Sequence, residues 1–279
     1  MRGHLASLGG LRHVPPMPMN SDRREEPLKG TALVTGAGRR IGRAIARELA
    51  GHGWAVAVHH NASAADACSL VDDIVASGGH AAPVNADLAC HSDVEALIGR
   101  VTDLLGPVSC LVNNASLFEC DNPESATLES WERHMTVNLR APFFLTQAFA
   151  KALPADRQGN VINILDERVW NLTPYFTTYT LSKAGLWTLT RTLAMALAPR
   201  IRVNGIGPGP ILPSIHQTEE RFRRQWQSQP LSRPIPPEEI ARAVVFLLDS
   251  PSMTGQMIAL DGGQHLGWAQ PVDQGATNE

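Results

Sequence analysis

Tyr179 is one of only two tyrosines in the chain, and Lys183 follows it four residues later. On a helix that spacing places both side chains on one face. A phenol has a reference pKa near 10, too high for easy proton exchange at neutral pH. A neighbouring ammonium favours its phenolate, each tenfold gain in acidity being worth about 1.4 kcal/mol. The pair is therefore equipped to supply a proton while hydride reaches another atom. The same spacing also occurs in ordinary helices as a half-buried surface pair, so its weight depends on the company it keeps.

A second constellation reads Thr35-Gly36-Ala37-Gly38-Arg39-Arg40-Ile41-Gly42. Glycines let a backbone approach a pyrophosphate, and a helix starting there offers N–H groups and partial positive charge. The spacing is GxGxxxG, so the common GxGxxG dinucleotide pattern is not met. About 20 positions further on, where NAD enzymes usually place an acid for the ribose 2′-hydroxyl, the chain reads His59-His60-Asn61-Ala62-Ser63, with no carboxylate before Asp66. Arg39, Arg40, Asn61 and Ser63 can instead meet a 2′-phosphate by charge-assisted hydrogen bonds. NADP(H) is the expected cofactor, with His60 beside this group. Asp87-Leu88 and Asn113-Asn114-Ala115 each close an apolar run. Asp87 is suited to an adenine amino group and Asn113 to tying neighbouring backbone together, although either type also ends strands simply as a turn former.

These residues sit in a strict alternation of elements. Strands are expected over 31–36, 55–60, 80–88, 109–116, 160–166, 201–207 and 256–263. Helices are expected over 40–53, 64–79, 92–106 (with Ser92 as its cap), 128–152, 178–198 and 237–249. Apolar strands alternating with helices imply a parallel sheet covered on both faces. The chemistry-bearing residues then fall at the carboxyl ends of the strands, where open α/β sheets bind ligands. The Pro-rich stretch from Gly207 to Pro237 reads as one long irregular insertion, and its 210–236 portion as a substrate lid.

Composition narrows the classes. A net charge of -3 spread over 279 residues gives no basic face for nucleic acid, and no apolar run has the length of a membrane span. Cys68, Cys90, Cys110 and Cys120 lie far apart without zinc-ligand spacing, so reduced thiols in a cytoplasmic protein are expected, with no metal. His59 and His60 are adjacent on a strand and point to opposite faces. Residues 1–27 lack the apolar core of a signal peptide and read as a disordered extension, with Met19 an alternative start. Residues 28–268 read as one domain and 269–279 as a tail.

Taken together, Thr35-Gly36 with Gly42, Asp87, Asn113-Asn114-Ala115, Asn138, Tyr179xxxLys183 and Pro208-Gly209 resemble the short-chain dehydrogenase/reductase pattern, in the family's order from about Lys29 to Leu266. The resemblance implies a doubly wound, Rossmann-like α/β domain with about seven parallel strands. It also implies cofactor contacts from Gly36, Gly38, Arg39, Arg40, Ile41, Gly42, His60, Asn61, Ser63, Asp87, Leu88, Asn114, Ala115, Tyr179, Lys183, Pro208 and Gly209. Two departures resemble the pteridine reductase branch: Arg40 where the family usually has glycine, and Asp166 where it usually has serine. The run Gly38-Arg39-Arg40-Ile41-Gly42 and the ending Gly263-x-His265-Leu266 are shared with dihydromonapterin reductases.

That branch implies catalytic roles for Tyr179, Asp166, Lys183 and Asn138, the last anchoring a water behind Lys183. It implies a pterin-like substrate held by Arg40, Ser116, Phe118, Asp166 and Tyr179. Two other positions differ from the branch: Ala62, where arginine is common, and Phe176, where some members have tyrosine. Relatives pair their long helices and last helix into tetramers, and the run Val244-Val245-Phe246-Leu247-Leu248 exceeds one buried stripe, so a homotetramer is expected. Three functions stay open: NADPH-dependent pterin reduction; carbonyl reduction on a 3-oxoacyl thioester, sugar or alcohol; and non-catalytic NADP sensing.

Overall fold

The computed structural model describes residues 28–213 and 217–267. The expected extension 1–27, the tail 269–279 and residues 214–216 of the expected lid lie outside the described residues. Seven strands, β1 (Gly30–Val34), β2 (Trp54–His60), β3 (His80–Asn85), β4 (Val108–Asn113), β5 (Gly159–Ile164), β6 (Ile201–Pro208) and β7 (Met257–Leu260), form one sheet. Its order is β3-β2-β1-β4-β5-β6-β7, and all pairings are parallel. The strand order reverses between β1 and β4, which opens a crevice at their carboxyl ends.

The helices are α1 (Arg40–Gly51), α2 (Ala64–Ala76), α3 (His91–Leu105), α4 (Leu128–Met135), α5 (Ala141–Ala152), α6 (Thr177–Leu197), α7 (Glu219–Gln227) and α8 (Pro237–Leu248). Strand side chains alternate between the two layers, as the pleat requires. Ala32 and Val34 of β1 pack with Ile45 and Leu49 of α1 and with Val244 and Leu247 of α8. Leu33 joins Leu97 and Val101 of α3 and Leu145 and Phe149 of α5. All these side chains are essentially enclosed, and each of them larger than Ala32 contributes roughly 1.5–3 kcal/mol by leaving water.

Three local expectations differ. The helix expected over 92–106 begins at His91 with Cys90 at its cap position and no side-chain cap, so Ser92 lies inside the first turn. The helix expected over 128–152 is interrupted by a π-helical turn at Thr136–Arg140, and the extra residue in that turn carries Asn138 into the fully buried interior. The stretch from 207 to 237 is not irregular throughout: it contains α7, capped by Thr218. Among the residues of α7 only Phe222 is buried, too little of an apolar stripe to read as a helix from sequence.

Candidate active site

Gly36 has φ +62, and a Cβ there would come within 3.0 Å of the Ala115 backbone. A Cβ on Gly42 would come within 2.3 Å of the Gly36 carbonyl oxygen. At these two positions the turn after β1 is thus closed to side chains and presents bare backbone beside the N-terminus of α1. Asn114 ties this turn to β4: its amide donates to the carbonyls of Thr35 (2.8 Å) and Gly36 (3.2 Å), while the Thr35 hydroxyl accepts from the backbone N–H of Asn114 and Ala115. The backbone-tying role expected of Asn113 therefore belongs to its neighbour. Asn113 points inward and donates to Asn163, which donates to Thr190, because adjacent residues at a strand end face opposite layers.

His59 holds the turn from β2. Its Nδ1 accepts from the Gly36 N–H at 3.0 Å, which leaves Nε2–H to donate to the Ala86 carbonyl at 3.2 Å. Burial pushes the imidazole down to about 4. The unfolded chain takes up a proton below about pH 6.5, whereas folded His59 resists protonation to about 4. Its contribution is present above pH 6.5 and lost progressively as pH falls toward 4, on the order of 3 kcal/mol in total. Thermal melts at pH 7 and pH 5 are expected to show a smaller acid loss in His59→Asn, whose amide oxygen can accept from Gly36, than in the parent. Equal losses would remove His59 from the acid response.

The two arginines of the turn are engaged. Arg39 forms an exposed ion pair with Asp66 at 2.6 Å, which lowers the Asp66 pKa. Arg40 has φ +52, a left-handed conformation that glycine adopts freely and other residues adopt at a cost. Its guanidinium donates to the carbonyls of Leu212 (3.1 Å) and Pro213 (2.9 Å), joining the turn to the segment after β6.

Tyr179 lies on the first turns of α6 and is 5% exposed. Its hydroxyl donates to Asp166 Oδ2 at 2.7 Å, and Asp166 Oδ1 accepts from the Arg168 N–H at 2.9 Å. Lys183 Nζ donates to the Ile164 carbonyl at 2.8 Å and stands 5.8 Å from the Tyr179 ring centre. The sequence-based expectation that the ammonium would favour the phenolate is not met. Burial, then the Asp166 charge and hydrogen bond, push the phenol well above its usual 10. Burial draws Lys183 down to about 8, partly opposed by Asp166, so it remains mostly an ammonium at neutral pH.

The aromatic wall and the loop behind it are fixed by buried polar groups. Phe118 stacks on Phe176 at 4.5 Å and meets the edge of Tyr179 at 4.8 Å. Phe176 has φ +59, a strained value for an aromatic residue, with the Arg168 guanidinium 4.8 Å from its ring centre. Asn138 clamps the start of this wall: its oxygen accepts from the Leu117 N–H (2.8 Å) and the Ser116 hydroxyl (3.2 Å), and its amide donates to the Leu117 carbonyl and to Ser182. His134, fully buried, accepts from the Glu119 N–H and donates to Thr178, which donates to Asp121.

All five residues expected to touch substrate, Arg40, Ser116, Phe118, Asp166 and Tyr179, line one cleft of about 430 Å³. Among the expected cofactor residues, Gly36, Arg39, Ile41, Gly42, Asn114, Ala115, Lys183, Pro208 and Gly209 line it too. The cleft does not include Gly38, His60, Asn61, Ser63, Asp87, Leu88 or Asn138. Asn61 follows β2 directly and Asp87 lies beyond β3, which ends at Asn85 and not at 88 as expected; the two side chains are 3.4 Å apart. Sequence reasoning missed Glu167, Arg168, Gln225 and Gln264 in the cleft wall. The signal available for the first two was a pair of charges directly after an apolar strand.

Residues 36–265 match the family described as Enoyl-(Acyl carrier protein) reductase. The chain belongs to the short-chain dehydrogenase/reductase family of oxidoreductases. Among solved structures it resembles FolM Alternative dihydrofolate reductase 1 from Brucella suis in complex with NADP, at 50% identity and a TM-score of 0.85, covering 87% of this chain and 98% of that one. A blue fluorescent protein from a metagenomic library in complex with NADPH is 34% identical, with a TM-score of 0.79, over 87% of this chain and 99% of that one. A 3-oxoacyl-[acyl-carrier-protein] reductase from Synechocystis sp. is 35% identical over 83% of this chain and 95% of its own length.

Proposed function

We propose that this chain is an NADPH-dependent reductase of a pterin, of the dihydrofolate, dihydrobiopterin or dihydromonapterin type. The observation that carries this reading is the 2.7 Å hydrogen bond from Tyr179 to Asp166. Reduction of a ring C=N bond places hydride on carbon and a proton on nitrogen, and a phenol joined to a carboxyl can deliver that proton and be resupplied. The likeness to FolM, 50% identical and solved with NADP, supports the same reading.

The side-chain-free turn at Gly36 and Gly42 fits a pyrophosphate on α1, and Lys183, with two of its three ammonium donors unused by Ile164, fits a ribose. Arg39, Asn61 and Ser63 would hold a 2′-phosphate, Arg39 exchanging Asp66 for it. NADPH, when bound, supplies the hydride. Tyr179 gives its proton to the substrate nitrogen, and Asp166 takes up a proton from solvent and passes it to the phenol. Lys183 offsets the negative charge that develops on the Tyr179–Asp166 pair, and Asn138 keeps Ser116 and Phe118 at the substrate. NADPH is expected to bind more tightly than NADH; comparable binding constants for the two would remove the 2′-phosphate assignment. NADPH oxidation measured against dihydropterins, dihydrofolate, quinones and 3-oxoacyl thioesters tests the substrate class, and turnover confined to the thioesters would overturn it. The second reading, 3-oxoacyl reduction, rests on the Synechocystis relative.

We also propose a cytoplasmic homotetramer. Leu128 and Trp131 on α4, Phe143 on α5, Leu181 on α6 and Phe246 on α8 are large apolar side chains left exposed, on the helices that would meet in such an assembly. Light scattering at micromolar concentration is expected to give four times the chain mass; a monomer would refute it.

A further inference from the structure

Glu167 follows Asp166 in the turn after β5 and lines the same cleft. It is 3% exposed, and its carboxyl has no hydrogen-bond partner among the described residues, with Oε2 fully enclosed. Folded proteins rarely bury a carboxyl without a partner. A group left so at the wall of a binding cleft is matched to something that enters the cleft.

The groups around Glu167 decide what it can offer. Asp166 lies on the same turn. Arg168 donates to Thr173 and rests against Phe176. Tyr179 on α6 is bonded to Asp166. Asp261, beyond β7, is held by the backbone of Gly263 and by His265. Burial, with the negative charge of Asp166, pushes the Glu167 carboxyl up to about 8. At neutral pH it is therefore an acid, carrying an O–H donor beside a C=O acceptor; because Oε2 is fully enclosed, both reach a ring edge only when the side chain turns into the cleft. That pattern complements a ring edge with donor and acceptor side by side, either a cis-amide (N–H next to C=O) or an amidine (N next to NH2). An acyl chain has no such edge.

We propose that Glu167 is a substrate-recognition residue, pairing its O–H and C=O with a cis-amide or amidine edge of the heterocycle that is reduced. The proposal rests on the pterin reading above and adds a residue that fixes which edge of the ring enters. It is tested by equilibrium binding of folic acid to the NADP⁺-loaded enzyme, for the parent, Glu167→Leu and Glu167→Gln, between pH 6.5 and 9. Glu167→Leu is expected to weaken folic acid by about ten-fold or more at pH 7, as an unpaired buried edge should. Glu167→Gln, which keeps a donor and an acceptor, should stay within about three-fold of the parent. Both should bind NADP⁺ as the parent does.

Parent affinity should fall above about pH 8, and Glu167→Gln should not show that fall. An unchanged folic acid constant in Glu167→Leu would overturn the proposal, and so would an equal loss in Glu167→Gln. Persistence of the alkaline fall in Glu167→Gln would assign it to Lys183, which titrates in the same range, and would also overturn it. A parent enzyme that neither binds folic acid nor reduces a dihydropterin refutes the pterin reading itself, an outcome distinct from a parent that binds and variants that bind equally well.

Discussion

Tyr179→Phe is expected to lower kcat by about 10²–10⁴-fold, the range a positioned general acid supplies. The ring of the variant fills the same buried space against Phe118 and His134. Asp166 keeps the N–H of Arg168 as a donor, so the loss isolates the proton. NADPH affinity, read by fluorescence of the bound nicotinamide, should change little, because Lys183 reaches Ile164 without the phenol. Steady-state rates at saturating NADPH decide the matter. A variant that keeps more than a tenth of the parent kcat would show that another group protonates the substrate. The loss should extend to any ketone the parent reduces, since pterin and carbonyl chemistry share the phenol.

Asp166→Asn should cost about 10²–10⁴-fold in pterin turnover while leaving NADPH binding intact. The amide has the carboxyl's shape, and its oxygen can still accept from Arg168, but it cannot take up a proton and return it. Removing the Asp166 charge also withdraws a cause that raises the pKa of Tyr179 and of Glu167. An alkaline limb in the rate profile should therefore move to lower pH. Asp166→Ser leaves a hydroxyl beside Tyr179, and a gain in ketone reduction with loss of pterin reduction is the expected signature of a switched substrate class. Should Asp166→Asn reduce dihydropterins at the parent rate, the carboxyl is a structural acceptor and the pterin reading loses its chemical support.

Much of the site was legible because its residues mark the ends of regular elements. Tyr179 and Lys183 sit one helical turn apart on α6, and Gly36 and Gly42 bracket the start of α1. Both facts follow from local spacing alone. The π-helical turn that buries Asn138 was not legible, because the apolar pattern over 128–152 continues through it. Arg40 could be noticed as a departure from glycine, but its positive φ and its hold on Leu212 and Pro213 join residues more than 170 positions apart. The exchange of roles between Asn113 and Asn114 turns on which side of the strand end each faces.

The sequence by itself determined the alternation of strands and helices, the parallel sheet, and the set of residues brought to its carboxyl edge. These follow from periodicity and from turn chemistry, which act over a few residues. Only the tertiary structure decided the charge state of the site. The phenol was expected to be drawn down by its helical neighbour Lys183. In the fold the lysine reaches the end of β5, while Asp166 from the same strand end meets the phenol directly. Burial and a contact made across thirteen positions of sequence outweigh the neighbour four residues away, because desolvation and carboxylate proximity both oppose the phenolate.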